Sequence, residues 1–168
     1  TAFAGIVVSY EMAWHMQKAV SSLSLVPGFT GQFILRELGV VIPALLVVSK
    51  VGASITAEIS TMKITDQLDA LKLLRVNALA YLVFPRWIAC MISLFCLTLI
   101  AVFVTILCAM WTACARYGFN ELEYLNVLRQ FVSLSDIVCA GIKSLVFGSV
   151  IPVIACAYGM NAREGAQG

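Results

Sequence analysis

The chain has 168 residues, of which 61% are hydrophobic and 12% charged, far more apolar than a soluble domain of this size can hide from water. Its net charge of +2 is too small and too scattered for an electrostatic footprint on nucleic acid, and that class of partner is excluded. The solvent for most of this sequence is lipid.

Residues 1–17 are an apolar run containing Glu11 and the single histidine, His15, beside Trp14 and Met16. They read as the remainder of a membrane span, with further sequence expected upstream. A histidine metal site or a Ser-His-Asp triad would have to be built around His15 alone, and a packed or interfacial histidine is the simpler reading. Pro27-Gly28 and Gly31 are expected to break the chain before the next span. That span runs from about Ile34 to Ala57, with Arg36 and Glu37 near its start and Lys50 inside it.

From Thr61 to Val76 the character changes. Ile64, Leu68 and Leu71 recur at helical spacing while Asp66, Asp69 and Lys72 lie elsewhere on the surface, which predicts a short amphipathic helix over 61–76. Its acids come early and Lys72 and Arg75 late, as the helix dipole favours. Such a helix either lies on the headgroups or bears as a lever on a cytosolic partner.

Trp87 to Ala115 gives twenty-nine residues without a charge, about 43 Å of helix against a bilayer core of roughly 30 Å, so this span should tilt or project. In the polar stretch 116–136, Leu122, Leu125, Leu128 and Phe131 or Val132 predict one face of a short helix outside the membrane. Ser133 and Asp136 offer an N-terminal cap for the last span, about Ile137 to Met160, which only Lys143 interrupts. The basic residues near span ends favour 58–86 and 160–168 inside, with 18–33 and 116–136 outside. The fold class expected is all-α: a polytopic membrane bundle in one domain over 1–168, with a short cytosolic helix and a short outer one.

Six cysteines lie in apolar stretches with no C-x-x-C pair and read as small hydrophobes. Arg36 and Glu37 stand at one end of their span, and Glu58 follows Arg36 by twenty-two residues, about one bilayer of helix. Either Arg36 snorkels to the headgroups with Glu37 neutralising it, or both face a cavity and meet a lipid head group. Lys50 needs a carboxylate or a water-filled cavity; a structural ion pair is expected, with Glu58 too far along a straight helix to be assumed the partner. Lys143, seven residues from Asp136, reads as structural on the same grounds. Small residues recur every four positions in Ser49, Ala53, Ala57 and in Ser144, Gly148, spacing that suits either internal packing or a seam between two copies.

Together, Arg36-Glu37-Leu38-Gly39, Lys50-Val51-Gly52-Ala53, Ala57-Glu58, Thr61-Met62-Lys63, Gln67, Asp69-Ala70-Leu71, Pro85-Arg86, Gly141-Ile142-Lys143-Ser144, Phe147-Gly148 and Tyr158-Gly159 resemble the MlaE-type permeases of MCE lipid-transport systems. The chain departs from the family pattern at Val40, Lys50, Glu58 to Met62, Arg75 and Asn77-Ala78. The resemblance implies an inner-membrane, multi-pass subunit of an ABC transporter for lipids of phospholipid or sterol class. It implies a homodimer, a cytosolic ABC ATPase dimer and a ring of MCE-domain substrate-binding proteins as partners, and a further transmembrane helix beyond the Gly-rich segment 165–168. It favours the cavity role for Arg36 and Glu37, and ATPase coupling through Asp66, Asp69, Leu71 and Lys72. Lys50, Glu58 and Lys143 remain structural intramembrane charges.

No H-E-x-x-H, G-x-S-x-G or Walker A pattern occurs, so an enzyme is not expected; ATP and Mg would be bound by the partner, with no cofactor in this chain. The alternative is a membrane scaffold or assembly subunit without a cargo path, which would need none of the charges at Arg36, Glu37, Lys50 and Lys143.

Overall fold

The computed structural model describes residues 1–19, 25–73, 78–118 and 120–161, and these form helices with no strand among them. In chain order they are α1 (Ala2–Ala19), α2 (Val26–Phe33), α3 (Gly39–Val47), α4 (Ala53–Ile64), α5 (Gln67–Leu73), α6 (Ala78–Tyr117), α7 (Glu121–Phe131) and α8 (Leu134–Met160). Two π-helical turns, π1 (Ile34–Leu38) and π2 (Val48–Gly52), join α2 to α3 and α3 to α4. Among the described residues, three stretches are long and apolar enough to cross a membrane: Val26–Ile64, Tyr81–Tyr117 and Leu134–Met160. The helix α1, with Glu11, His15 and Lys18, is not one of them.

Large apolar side chains point outward along the spans, among them Leu45, Ile100, Phe103, Trp111, Val146 and Ile154. In water so many would be an aggregation hazard; in hydrocarbon they are the solvated surface. Backbone groups are satisfied within helices, which is the arrangement a bilayer allows. By packing, the chain divides into two units, one of Thr1–Pro43 with Cys96–Lys143 and one of Ala44–Phe95 with Ser144–Gly168.

In the first unit, α2 lies on α7. The expected break at Pro27, Gly28 and Gly31 does not occur: Pro27 sits in the first turn of α2, where its missing N–H costs nothing, and both glycines are helical. Their role is close approach. A Cβ on Gly28 would stand 2.5 Å from the Phe131 ring, and one on Gly31 would stand 2.8 Å from Leu128. Phe29 and Phe131 pack with ring centroids 5.7 Å apart, and Gln32 Nε2 donates to the Phe131 carbonyl at 3.2 Å.

The helix α7 forms where periodicity predicts it, but its inward stripe is Tyr124, which is buried, with Val127, Leu128 and Phe131, which are half-buried, while Leu122 and Leu125 are exposed. Both stripes have helical spacing; the one carrying two aromatic rings covers more apolar area and meets the glycine face of α2. In the same unit, Ser9 Oγ donates to the Ala109 carbonyl at 3.3 Å, and Gly39 is held against Val102 with no room for a Cβ.

The second unit has cores of Ile55, Ile59, Cys90, Ala155 and Cys156, and of Ala44, Leu94 and Ile151. Thr56 Oγ1 donates to the Ala155 carbonyl at 3.0 Å, and Lys63 Nζ to that of Met160 at 2.6 Å. The two small-residue stripes part company here. Ser144 and Gly148 are buried, a Cβ on Gly148 falling 2.9 Å from the Met91 backbone, whereas Ser49, Ala53 and Ala57 are exposed.

The single amphipathic helix expected over 61–76 is also corrected. Residues through Ile64 prolong α4, the chain turns at Thr65 and Asp66, and α5 begins at Gln67. Asp66 has φ 55°, a left-handed conformation that a short polar side chain tolerates, and its N–H donates to the Lys63 carbonyl at 3.3 Å. The acid counted as part of the helix is thus its preceding turn. Leu71 is half-buried; the side chains of Asp69 and Lys72, and all of Arg75 and Arg163, lie outside the described residues.

Candidate functional site

Four charges from π1 and α8 meet in the first unit. Asp136 is the third residue of α8, and its Oδ2 accepts the N–H of Ser133 at 3.1 Å, closing one half of the expected cap. The Ser133 hydroxyl does not make the other half; it pairs with the Ser135 hydroxyl at 3.1 Å. With one oxygen so used, Asp136 Oδ1 accepts from Arg36 Nε at 2.7 Å. Only 3% of the Asp136 side chain is exposed, against 59% for Arg36, so the carboxylate is the fixed partner and the guanidinium offers its remaining donors outward.

Two turns further along α8, Lys143 Nζ donates to the Arg36 carbonyl at 2.7 Å and pairs with Glu37 Oε1 at 3.4 Å. The π turn is what puts Arg36 and Glu37 there: Gly39 N–H donates to the Ile34 carbonyl five residues back, a widened turn of the kind that recurs at functional sites. Arg36, Glu37 and Lys143 are therefore brought together. Lys143 pairs with Glu37 and not with Asp136, and the group orienting Arg36 is Asp136 and not its neighbour Glu37. Asp136, read from sequence as a cap and as a neighbour of Lys143, is the member missed as the partner of Arg36; a lone carboxylate at the mouth of an apolar span was its signal, but that partner lies one hundred residues away.

Beside these charges in sequence, Leu35 and Ile137 line an open apolar groove of about 280 Å³, completed by Val102, Ile106, Leu128 and Val132 among others. Its walls carry almost no polar surface. Charged groups that satisfy one another, one residue along the chain from the walls of an apolar groove, are the kind of pairing that suits an amphiphile, polar end and tail together.

The second unit holds the remaining intramembrane charges. Glu58 pairs with Arg86 on α6, Nη2 donating to Oε2 at 2.7 Å. Lys50, in the second π turn, lines an open cavity with both of them.

Helical spans with ionised groups held inside them define a polytopic integral membrane protein. The family described as Permease MlaE matches residues 1–168, and the chain belongs to that family. It is 35% identical over 166 residues to a probable ABC transporter permease protein of Synechocystis, covering 99% of this chain and 63% of that one. It is 41% identical over 133 residues to one of Rickettsia typhi, 79% of this chain and 51% of that one. A probable ABC transporter permease protein of Porphyra purpurea is 39% identical over 133 residues, 79% of this chain and 51% of its own. The chain thus spans about half to two thirds of the length of the curated relatives it matches.

Proposed function

We propose that this chain is the membrane-spanning part of an ABC transporter permease that moves lipid, with Arg36 and Glu37 at the head-group end of the path. The observation that carries this reading is the quartet of Arg36, Glu37, Asp136 and Lys143, whose chain neighbours Leu35 and Ile137 line the apolar groove. A phosphate leaving water needs compensating charge, and a guanidinium fork held on one edge by Asp136 keeps donors for two phosphate oxygens. Glu37 and Lys143 balance each other, so a bound anion displaces weak contacts and is not trapped by a bare positive site. The groove walls solvate acyl chain as they would any apolar group.

The names of the relatives and the family membership support an ATP-hydrolysing partner in the cytosol, which we place at the turn of Asp66 and at α5 with Asp69, Leu71 and Lys72. A second copy of this chain, an MCE-domain ring and an inner-membrane location complete the assembly we infer. Copurification with neighbouring gene products, followed by mass spectrometry of subunits and lipids, tests it. Glu37→Gln should retain lipid while slowing turnover. Wild-type turnover in that variant, or copurification with no lipid and no ATPase, overturns the reading.

A further inference from the structure

We propose that the cavity lined by Lys50, Glu58 and Arg86 is a second, separate phosphate-binding site, filled by a lipid headgroup from the leaflet or by free phosphate from water. The cavity is open, about 470 Å³, and lies between π2 with α4 on one side and the start of α6 on the other, with Ser54, Ala89 and Cys90 in its wall. Two cations and one anion line it, leaving one positive charge in excess. Arg86 spends Nη2 on Glu58 at 2.7 Å, while its Nη1 is buried with no hydrogen-bond partner among the described residues. A guanidinium nitrogen without an acceptor is costly; Nη1 has no accessible surface as the side chain lies, and a turn of the guanidinium toward the cavity gives it an anionic oxygen as acceptor. Lys50 is exposed on the same cavity and can close on the anion as a point charge.

Depth favours the headgroup source. Glu58 lies six residues from the span end at Ile64, and Arg86 five residues from the one at Tyr81, so both stand about 8 to 9 Å in along their helices. That is the depth at which overlong spans meet the boundary between headgroups and acyl chains. The site is independent of the lipid-path reading of Arg36, and its test is local to the cavity.

The protein carrying Ser54→Cys, in a phosphate-free maltoside detergent, is labelled with maleimide, and modification at position 54 is followed by peptide mass spectrometry. Dioleoyl-phosphatidylglycerol should slow labelling, and dioleoylglycerol, identical but for the phosphoglycerol, should not. Lys50→Gln and Arg86→Lys should each raise the lipid concentration needed by about tenfold, the worth of one charge-assisted contact. Glu58→Gln should lower it, a gain that a misfolded protein cannot imitate. Inorganic phosphate is the second probe: protection by it assigns the site to free phosphate, and protection by the phospholipid alone assigns it to the headgroup. Equal protection by both dioleoyl lipids, or phosphatidylglycerol protection unchanged in Lys50→Gln and Glu58→Gln, overturns the proposal.

Discussion

Lys143 Nζ donates to the backbone carbonyl of Arg36 at 2.7 Å, while Arg36 Nε donates to Asp136 Oδ1 at the same distance. Arg36 is therefore tied to α8 by its backbone and by its side chain, through residues two helical turns apart. The tie at Asp136 is buried and the one at Lys143 is half-exposed, so the two differ in what their loss costs.

Arg36→Ala should destabilise the protein by about 1.5 to 3 kcal/mol, because it leaves the buried Asp136 carboxylate with Ser133 N–H alone. Lys143→Ala removes the exposed pair with Glu37 and the bond to the Arg36 carbonyl but strands no buried charge, and should cost less than Arg36→Ala. Thermal unfolding in detergent separates them. The double variant Arg36→Ala with Asp136→Asn should recover part of the loss, since it removes the stranded charge.

Gly28→Ala and Gly31→Ala should each destabilise the packing of α2 on α7 by about 1 to 3 kcal/mol, although alanine is the better helix former. The reason is room: the new Cβ falls 2.5 Å from the Phe131 ring or 2.8 Å from Leu128. Pairing Gly31→Ala with Leu128→Ala should restore most of the loss, because the blocking atoms belong to that side chain. Stability equal to wild type in the single variants would mean that the two helices part without cost.

The spans and α7 were legible because apolar periodicity and a loss of hydropathy are local signals, whereas the turn at Thr65 and Asp66 fell inside what periodicity reads as one helix. Gly28 and Gly31 misled for a physical reason: glycine marks a turn in one context and a close helix crossing in another, and the residue that decides is Phe131, about a hundred positions away. A like distance hid Asp136 as the partner of Arg36, and a separation of 28 residues onto another helix hid Arg86 as a partner of Glu58. The π turns at 34–38 and 48–52 had no sequence signal we could read, yet they carry Arg36, Glu37 and Lys50.

Tyr124 is fully buried on α7, and burial pushes its phenol up to about 12, with its hydroxyl lacking a partner among the described residues. An unfolded tyrosine ionises near 10, so the folded state holds this proton more tightly. Its contribution is complete below pH about 10 and is lost as pH rises from there toward 12. Tyr124→Phe should leave stability at neutral pH unchanged or raised, and should flatten the alkaline loss. A denaturation series from pH 8 to about 11.5 checks both arms.

For the proposed ATPase contact, Asp66 and the helix after it make different demands. Asp66 holds a left-handed backbone at φ 55°, so Asp66→Gly keeps the turn and should leave ATP-driven lipid movement near wild type. Asp69→Lys reverses a charge on α5 itself and should uncouple hydrolysis from transport while the subunit still inserts. Hydrolysis and lipid movement measured together in proteoliposomes decide it. Normal coupling in Asp69→Lys, with no cross-link from α5 to the ATPase, would move the contact elsewhere.

The last prediction concerns the two small-residue stripes, which share a spacing but not a surroundings. Gly148 is buried, and a Cβ there would come 2.9 Å from the Met91 backbone, which cannot swing aside as a side chain can. Gly148→Leu should therefore break the packing of α8 within one copy and lower the unfolding temperature sharply. Ser49, Ala53 and Ala57 are exposed, and Ser49 Oγ donates only to its own helix, to Leu46 at 3.0 Å. Bulk at Ala53 meets nothing inside the copy, so Ala53→Leu should leave the fold of one copy intact. If the proposed pairing of two copies uses this face, the same substitution pushes two helix backbones apart and lowers the association, since close approach is what small residues permit in lipid. Mass measurement of detergent-solubilised protein, beside thermal unfolding, reads the two effects separately. Dimer retained in Ala53→Leu and in Ala57→Leu would place the seam on another face.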